Sequence, residues 1–142
     1  MDQKRERSEG FEDCSHDVIG ACIEVHRVLG PGLLESAYEA CLAHEFALRD
    51  LSFERQKPLP VRYKGLPLEC GYRMDFVMKG ELVLEVKAVE HLLPIHSAQL
   101  ISYLRLTGIR TGLLVNFHAE TIQRGLRRLE LPPTPSNLPS SC

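Results

Sequence analysis

The hydrophobic and polar positions of the chain follow two periods, and the changes between them mark the predicted elements. Where apolar residues recur every three or four positions, as at Val18, Cys22 and Leu29, the pattern predicts a helix. Helices are predicted on this basis over residues 15–29, 33–48, 95–107 and 120–129. In the third of these helices the predicted core positions are Ile95, Ala98, Ile101, Leu104 and Leu106.

Shorter runs between these helices have the composition of β-strands. They predict a proline-interrupted strand pair over residues 52–70, a hairpin over residues 71–87 and a buried apolar strand over residues 111–117. Helices and strands therefore occur together in a chain of 142 residues, which is long enough for one domain with a real core. The pattern predicts a single α/β domain.

The hairpin over residues 71–87 decides which side chains share a face of the sheet. Gly80 suits the left-handed position of a three-residue loop, Met78-Lys79-Gly80, which would pair Asp75 with Val83. A two-residue turn would place Asp75 among apolar side chains, at a high cost. The predicted core face consists of Tyr72, Met74, Phe76, Leu82, Leu84 and Val86. The opposite face consists of Arg73, Asp75, Val83, Glu85 and Lys87.

This register brings two carboxylates together, because Glu85 lies diagonal to Asp75 and Lys87 follows on the same face. Two carboxylates a few ångströms apart repel each other unless a proton or a cation lies between them. Hard cations such as Mg²⁺ bind one or two carboxylates together with water and substrate phosphate. A lysine beside such an ion can hold or deprotonate an attacking water. A surface strand with a weak ion pair fits the same pattern equally well.

Four sequence motifs resemble those of a known nuclease superfamily. Asp75 followed by residues 85–87, EVK, matches the two-strand motif of the PD-(D/E)xK nucleases, although Met74 stands where many members have proline. Residues 32–38, GLLESAY, match the motif of the GxxExxY proteins, a bacterial and archaeal branch of that superfamily. The QxxxY helix motif and the closing strand of RecB-like members are matched at residues 99–103 and 113–117. Four motifs in the family's order, over about residues 15–130, are far more specific than any one alone.

The resemblance implies a restriction-endonuclease-like core, a mixed central β-sheet flanked by α-helices. It also implies hydrolysis of phosphodiester bonds with Mg²⁺, or Mn²⁺, as the cofactor. Asp75 and Glu85 would bind the ion together with the main-chain carbonyl of Val86. Lys87 would position or activate the attacking water.

Two helices would complete this site. Glu35 and Glu39 lie four positions apart near a helix N-terminus, where acidic residues also complement the helix dipole. The resemblance assigns Glu35 to the site as a ligand or a supporting group, and the dipole suffices to explain Glu39. His96, Gln99 and Tyr103 share one helix face and suit contacts to phosphate or bases. The resemblance favours Gln99 as a site residue and Tyr103 as a substrate contact, whereas His96 fits either a substrate contact or a polar flank.

Composition narrows the cellular setting of the protein. A hydrophobic content of 44% is ordinary for a soluble globular protein, and no apolar run approaches the length of a membrane span. We therefore expect a cytoplasmic protein with no membrane partner. The five cysteines contain no CxxC pair and indicate no zinc site. The domain is expected over residues 13–130, between disordered segments at residues 1–12 and 131–142.

Two function hypotheses remain. The net charge of −2 is not that of a strong nonspecific nucleic-acid binder, but an acidic metal site subtracts charge that a bound cation restores. The first hypothesis is a metal-dependent nuclease acting on DNA. The alternative is a non-catalytic nucleic-acid-binding or scaffold module that retains the site. The basic cluster Arg124, Arg127 and Arg128 fits either a DNA-facing patch or a solvated helix end. The sequence leaves RNA as a substrate, and the formation of a homo-oligomer, open.

Overall fold

The helices and strands of the chain are arranged around one central sheet. The structure is a computed structural model that describes residues 14–132. The disordered segment predicted over residues 1–12 therefore lies outside the described residues, as does all of the segment predicted over residues 131–142 except its first two residues. The helices are α1 (Ser15–Leu29), α2 (Glu35–Leu48), α3 (Pro94–Thr107) and α4 (Ile122–Gly125). The strands are β1 (Phe53–Pro58), β2 (Val61–Tyr63), β3 (Leu66–Leu68), β4 (Arg73–Met78), β5 (Leu82–Lys87), β6 (Thr111–Asn116) and β7 (Leu126–Glu130).

The central sheet has five strands in the order β1-β4-β5-β6-β7, and β2 and β3 form a separate hairpin. The neighbours β5 and β6 are parallel, whereas the other neighbouring pairs are antiparallel. Because a parallel pair needs a crossover connection, the chain passes through α3 between β5 and β6. The sheet is therefore mixed and flanked by helices, which confirms the predicted α/β architecture.

Each face of the sheet carries its own layer of core residues. The helices α1 and α2 cover one face, where Val18, Ala21, Tyr38, Leu42 and Phe46 pack against Phe76, Leu84, Val86 and Val115. The helix α3 covers the other face, where Leu100, Tyr103 and Leu104 pack against Val77, Val83 and Leu114. Both apolar faces of the sheet are thereby removed from water, which is the main stabilising contribution to this fold.

The buried side of α3 differs from the predicted one. Leu100, Tyr103 and Leu104 face the sheet, whereas Ile95 and Leu106 are exposed to 65% and 52%. Apolar residues occur on several sides of this helix, so their spacing alone does not select a single buried stripe. As a result Tyr103, predicted to lie on a polar face, is 6% exposed and belongs to the core layer.

The register of the hairpin also differs from the predicted one, by two residues. Val77 pairs with Val83 and Met78 with Leu82. Lys79 and Gly80 both have positive φ, 53° and 71°, and the Glu81 amide donates to the Met78 carbonyl at 2.9 Å. The turn therefore closes one residue later than predicted. Because side chains alternate with a period of two, a shift by two residues keeps Phe76, Leu82, Leu84 and Val86 on one face of the sheet. The prediction is wrong for the other two residues of this face, since Met74 packs in the opposite layer and Tyr72 is 44% exposed. Both precede Phe76, where the paired part of β4 and β5 ends.

The predicted last helix is mostly a strand. Only Ile122–Gly125 is helical, and Leu126–Glu130 forms β7, antiparallel to β6. Leu126 and Leu129 are three positions apart, a helical spacing, but in the strand they pack on opposite faces of the sheet. Pairing with β7 also provides hydrogen-bond partners for the outer edge of β6, which a helix would not do.

The tyrosine of the GLLESAY motif fixes the start of α2. Tyr38 is fully buried and stacks on Phe117 with ring centroids 4.5 Å apart. Its hydroxyl donates to the carbonyl of Gly30 and accepts from the amide of Leu33 at 3.1 Å. Tyr38 is thus a packing residue that holds the loop before α2, and so determines where Glu35, the first residue of the helix, is placed.

Candidate active site

The two predicted carboxylates lie where β4 and β5 separate. Continuing the observed register places Asp75 directly opposite Glu85 rather than diagonal to it. The Asp75 amide donates to Glu85 Oε2 at 2.9 Å, and the Val86 amide donates to Asp75 Oδ2 at 2.8 Å. Each carboxylate is therefore fixed by the main chain of the other strand. The two side chains occupy the gap between the strands instead of extending freely into solvent.

Burial makes this pair an unfavourable place for two negative charges. Glu85 is 4% exposed, and desolvation raises its pKa from 4.5 to about 8, with a further increase caused by the charge of Asp75. Desolvation also raises the pKa of Asp75, against the lowering effect of the Val86 amide. Both carboxylates thus bind protons more strongly than free side chains do, because burial and the neighbouring negative charges disfavour their ionised forms.

Glu35 and Lys87 extend this charged group. Glu35 is exposed overall, yet partial desolvation raises the pKa of its carboxylate, while Lys87 and the Ala88 amide lower it. The half-buried Lys87 also lowers the pKa of Asp75 and of Glu85. The structure therefore brings Glu35, from α2, and Lys87, from the end of β5, to the carboxylate pair.

A second network, of hydrogen bonds between α2, β1 and Asp75, supports the carboxylate pair, and it was not predicted from the sequence. Glu39 is buried, and its Oε2 accepts from Arg55 Nε at 2.8 Å and from Gln56 Nε2 at 2.9 Å. Gln56 Nε2 also donates to Asp75 Oδ1 at 3.1 Å. The helix dipole therefore does not suffice to explain Glu39, which is linked through Gln56 to Asp75.

The backbone of Gln56 is unusual for its position. Four non-glycine residues in the described chain have positive φ, and three of them, Asp50, Lys64 and Lys79, lie in turns or at a helix end. Gln56 has φ 52° within the strand β1. Strained backbone of this kind is found mainly where surrounding structure or function requires it. Here it accompanies an amide group that bridges two carboxylates.

The three predicted site residues on α3 have different surroundings. Tyr103 is close to the carboxylate pair. Desolvation is the main cause that raises the pKa of its hydroxyl, and the charges of Glu85 and Asp75 raise it further. His96 caps the helix, since its Nδ1 accepts from the Leu93 amide at 2.9 Å. Gln99 is half-buried one turn before Tyr103, and it forms no hydrogen bond to the carboxylates within residues 14–132.

The donor set at the pair suits a hard cation that is only partly bound by protein. Among the described residues, no three His, Cys, Asp or Glu side chains form a metal cage. Mg²⁺ seldom requires one, because it usually retains water and binds one or two carboxylates plus substrate phosphate. Glu85 Oε2 is engaged by the Asp75 amide, whereas Oε1 accepts no hydrogen bond from residues 14–132. The residues present therefore fit such an ion.

Comparison with known proteins agrees with the fold. The family model of the PD-(D/E)XK nuclease superfamily matches residues 12–129. The chain belongs to this superfamily. No curated protein and no solved structure matches the chain. Within the described residues, no helix is long and apolar enough to cross a membrane. The predicted superfamily is confirmed, and the domain is of the nuclease type.

Proposed function

We propose that this member of the PD-(D/E)XK superfamily is a divalent-metal-dependent nuclease that hydrolyses phosphodiester bonds of DNA. One observation carries the proposal. Asp75 and Glu85 are held against each other by main-chain amides, with raised pKa values, beside a lysine that forms no ion pair within the described residues. A structural ion pair would satisfy these charges, whereas here both carboxylates can ionise only when a cation lies beside them.

The roles of the residues follow from their chemistry. Asp75 and Glu85 hold Mg²⁺ or Mn²⁺, with the Val86 carbonyl as a further ligand and Glu35 as a ligand or supporting group. When bound, the ion supplies Lewis acidity that polarises the phosphate and stabilises charge on the leaving oxygen. Lys87 orients the attacking water and balances charge on the phosphate.

The α3 residues and the GLLESAY motif belong to the same proposal. Gln99 completes the site, and Tyr103 and His96 contact the substrate beside it, with Tyr103 the nearer to the carboxylates. The motif that contains Glu35 and Tyr38 supports membership of the GxxExxY branch. The cytoplasm remains the expected location.

The direct test is cleavage of labelled DNA by the purified protein. Activity is expected with Mg²⁺ or Mn²⁺ and none in excess EDTA, with recovery when the ion is added back. RNA of the same sequence serves as the comparison substrate. If the protein binds no divalent ion at millimolar concentration and cuts neither DNA nor RNA, the non-catalytic binding module becomes the better explanation.

Replacing Gln56 by glycine is expected to weaken Mn²⁺ binding about 10- to 100-fold, the usual effect of losing a residue that orients a ligand. The change removes the amide that bridges Glu39 and Asp75, and glycine adopts the left-handed backbone of this position without strain. Isothermal titration calorimetry measures the affinity, and thermal unfolding checks the fold.

The matched control is Lys57→Ala on the same strand, because the Lys57 side chain forms its hydrogen bond and ion pair with the exposed Glu54 and with no other described residue. We expect this control to bind Mn²⁺ as the wild type does. Equal Mn²⁺ affinity in Gln56→Gly and in the wild type would show that the amide does not position Asp75.

A further inference from the structure

A polar cleft of about 200 Å³ lies at the end of the sheet where β5 and β6 finish. Arg124, Arg127, His91 and Asn116 line it, together with one carboxylate, Glu90. Lys87 pairs with Asn116 across the parallel strands, so the cleft begins one strand away from the proposed water-positioning lysine. None of the site residues already described lines this cleft.

Two close contacts build the walls of the cleft. Asn116 is 4% exposed, and its side chain accepts from the Val89 amide at 3.0 Å and donates to the Val89 carbonyl at 2.8 Å. This pair of bonds fixes the start of the segment that carries His91. A Cβ on Gly125 would lie 2.4 Å from the Asn116 carbonyl oxygen, so only glycine lets α4 approach β6 this closely. Arg124 is brought to the cleft by that approach.

The strand register places Arg127 on the same face of the sheet as the carboxylate pair. Glu85 pairs with Leu114, and Leu114 pairs with Arg127. Residues paired across neighbouring strands point to the same face, so Arg127 lies in one row with Glu85, two strands and roughly 10 Å away. Arg128, the next residue, points to the other face, where its Nη1 donates to Ser15 Oγ at 2.8 Å.

We propose that this cleft binds a backbone phosphate of the nucleic-acid strand, next to the phosphate that is cleaved. The inference rests on the proposed function and adds the path that the substrate takes across the sheet. Arginine suits this task because its planar group donates several hydrogen bonds to phosphate oxygens. The cleft also supplies local positive charge that the acidic site, on a chain of net charge −2, does not.

The existing partners of these arginines leave them available to a phosphate. Arg124 pairs with Glu120, but the two side chains are 73% and 78% exposed, and such exposed pairs contribute little. Arg127 Nη1 donates to the carbonyls of Arg124 and Leu126, which orients the guanidinium without neutralising it. A phosphate can therefore replace solvent at both groups with little rearrangement.

The test is binding of a fluorescent DNA oligonucleotide in EDTA, where no cleavage occurs, over a range of salt concentrations. Arg127→Ala is expected to weaken binding and to reduce the slope of log affinity against log salt by about 0.7 for a single strand or about 0.9 for a duplex, the value for one lost phosphate contact. Arg124→Ala is expected to act in the same direction. Arg127→Lys keeps the charge and should keep most of the slope.

Arg128→Ala is the matched control, because it removes the same charge from the opposite face of the same strand. It should leave both affinity and slope unchanged, and thermal unfolding should show all variants folded. Equal effects of Arg127→Ala and Arg128→Ala would overturn the assignment of the cleft while leaving metal-dependent cleavage intact. Weaker binding with an unchanged salt slope would overturn it too. A wild-type protein that neither binds nor cuts DNA would overturn both this inference and the proposed function.

Discussion

Replacing Lys87 by alanine is expected to slow DNA cleavage strongly while leaving Mn²⁺ binding intact or slightly stronger. Lys87 lies at the end of β5 and acts on Glu35, Asp75 and Glu85 through its charge, without forming an ion pair within the described residues. It is therefore not needed to hold a cation, and its own positive charge opposes cation binding. The substitution should instead impair the positioning of the attacking water and the charge balance on the phosphate. The rate of cleavage should therefore fall about 10²- to 10⁴-fold.

The comparison with Asp75→Ala makes this prediction specific. That variant loses a proposed ligand and also the acceptor of the Val86 amide, so it should lose Mn²⁺ affinity and cleavage together. Lys79→Ala, at the exposed turn of the same hairpin, removes an equal charge far from the pair and should retain both. Cleavage rates and calorimetric titrations measure the two properties. Loss of Mn²⁺ binding in Lys87→Ala would mean that Lys87 holds the site together rather than acting on the water.

The faces of the paired part of the hairpin could be predicted from the sequence, whereas its register could not. Alternation along a strand has a period of two, so Phe76, Leu82, Leu84 and Val86 stay on one face in any register that differs by an even number of residues. The alternation does not hold beyond Asp75, where Met74 packs on the other face and Tyr72 is exposed. The register itself depends on the turn, where Lys79 takes positive φ beside Gly80. Lysine rarely adopts that conformation, and nothing in the local sequence indicates that it does so here.

The hydrogen-bond network that supports Asp75 could not be predicted from the sequence, for a different reason. Glu39, Gln56 and Asp75 come from α2, β1 and β4, and they meet only because the helix packs beside the sheet edge. Glu39 had a sufficient local explanation in the helix dipole, so no partner was expected for it. Contacts between elements far apart in the chain follow from tertiary packing, which no local spacing encodes.

The basic cluster illustrates how one misassigned element changes an interpretation. On a helix, Arg124, Arg127 and Arg128 would share one side, and a single patch would be expected. On β7, Arg127 and Arg128 face opposite ways, and only Arg127 lies on the side of the carboxylate pair. The proposal of a DNA-facing role therefore applies to Arg127 and not to Arg128.

Replacing Glu85 by glutamine is expected to stabilise the metal-free protein above neutral pH. The pKa of Glu85 is raised from 4.5 to about 8, so the folded state holds a proton that the unfolded state has lost. Between these values the folded protein binds more protons than the unfolded chain, and the free energy of unfolding must fall as the pH rises. The full decrease has an upper limit of roughly 5 kcal/mol and is complete above about pH 8.5.

Glutamine is neutral at every pH and can still accept from the Asp75 amide, so the variant should lose most of this pH dependence. A smaller decrease should remain, because the pKa values of Asp75 and Glu35 are raised as well. Urea unfolding in EDTA at pH 5 and pH 8.5 measures the difference. The two proteins should be similar at pH 5, and the variant should be the more stable at pH 8.5. Glu81→Gln, in the exposed turn, is the control and should follow the wild type.

Mn²⁺ should then reverse the order of stability at pH 8.5. A ligand that binds only the folded state stabilises it in proportion to the logarithm of its concentration over the dissociation constant. The wild type should gain stability as the ion replaces the missing proton between Asp75 and Glu85, and Glu85→Gln should gain little. A wild-type stability that does not fall between pH 5 and pH 8.5 would remove the evidence for a strained carboxylate. Equal stabilisation of both proteins by Mn²⁺ would show that Glu85 is not a ligand and that the cation binds elsewhere.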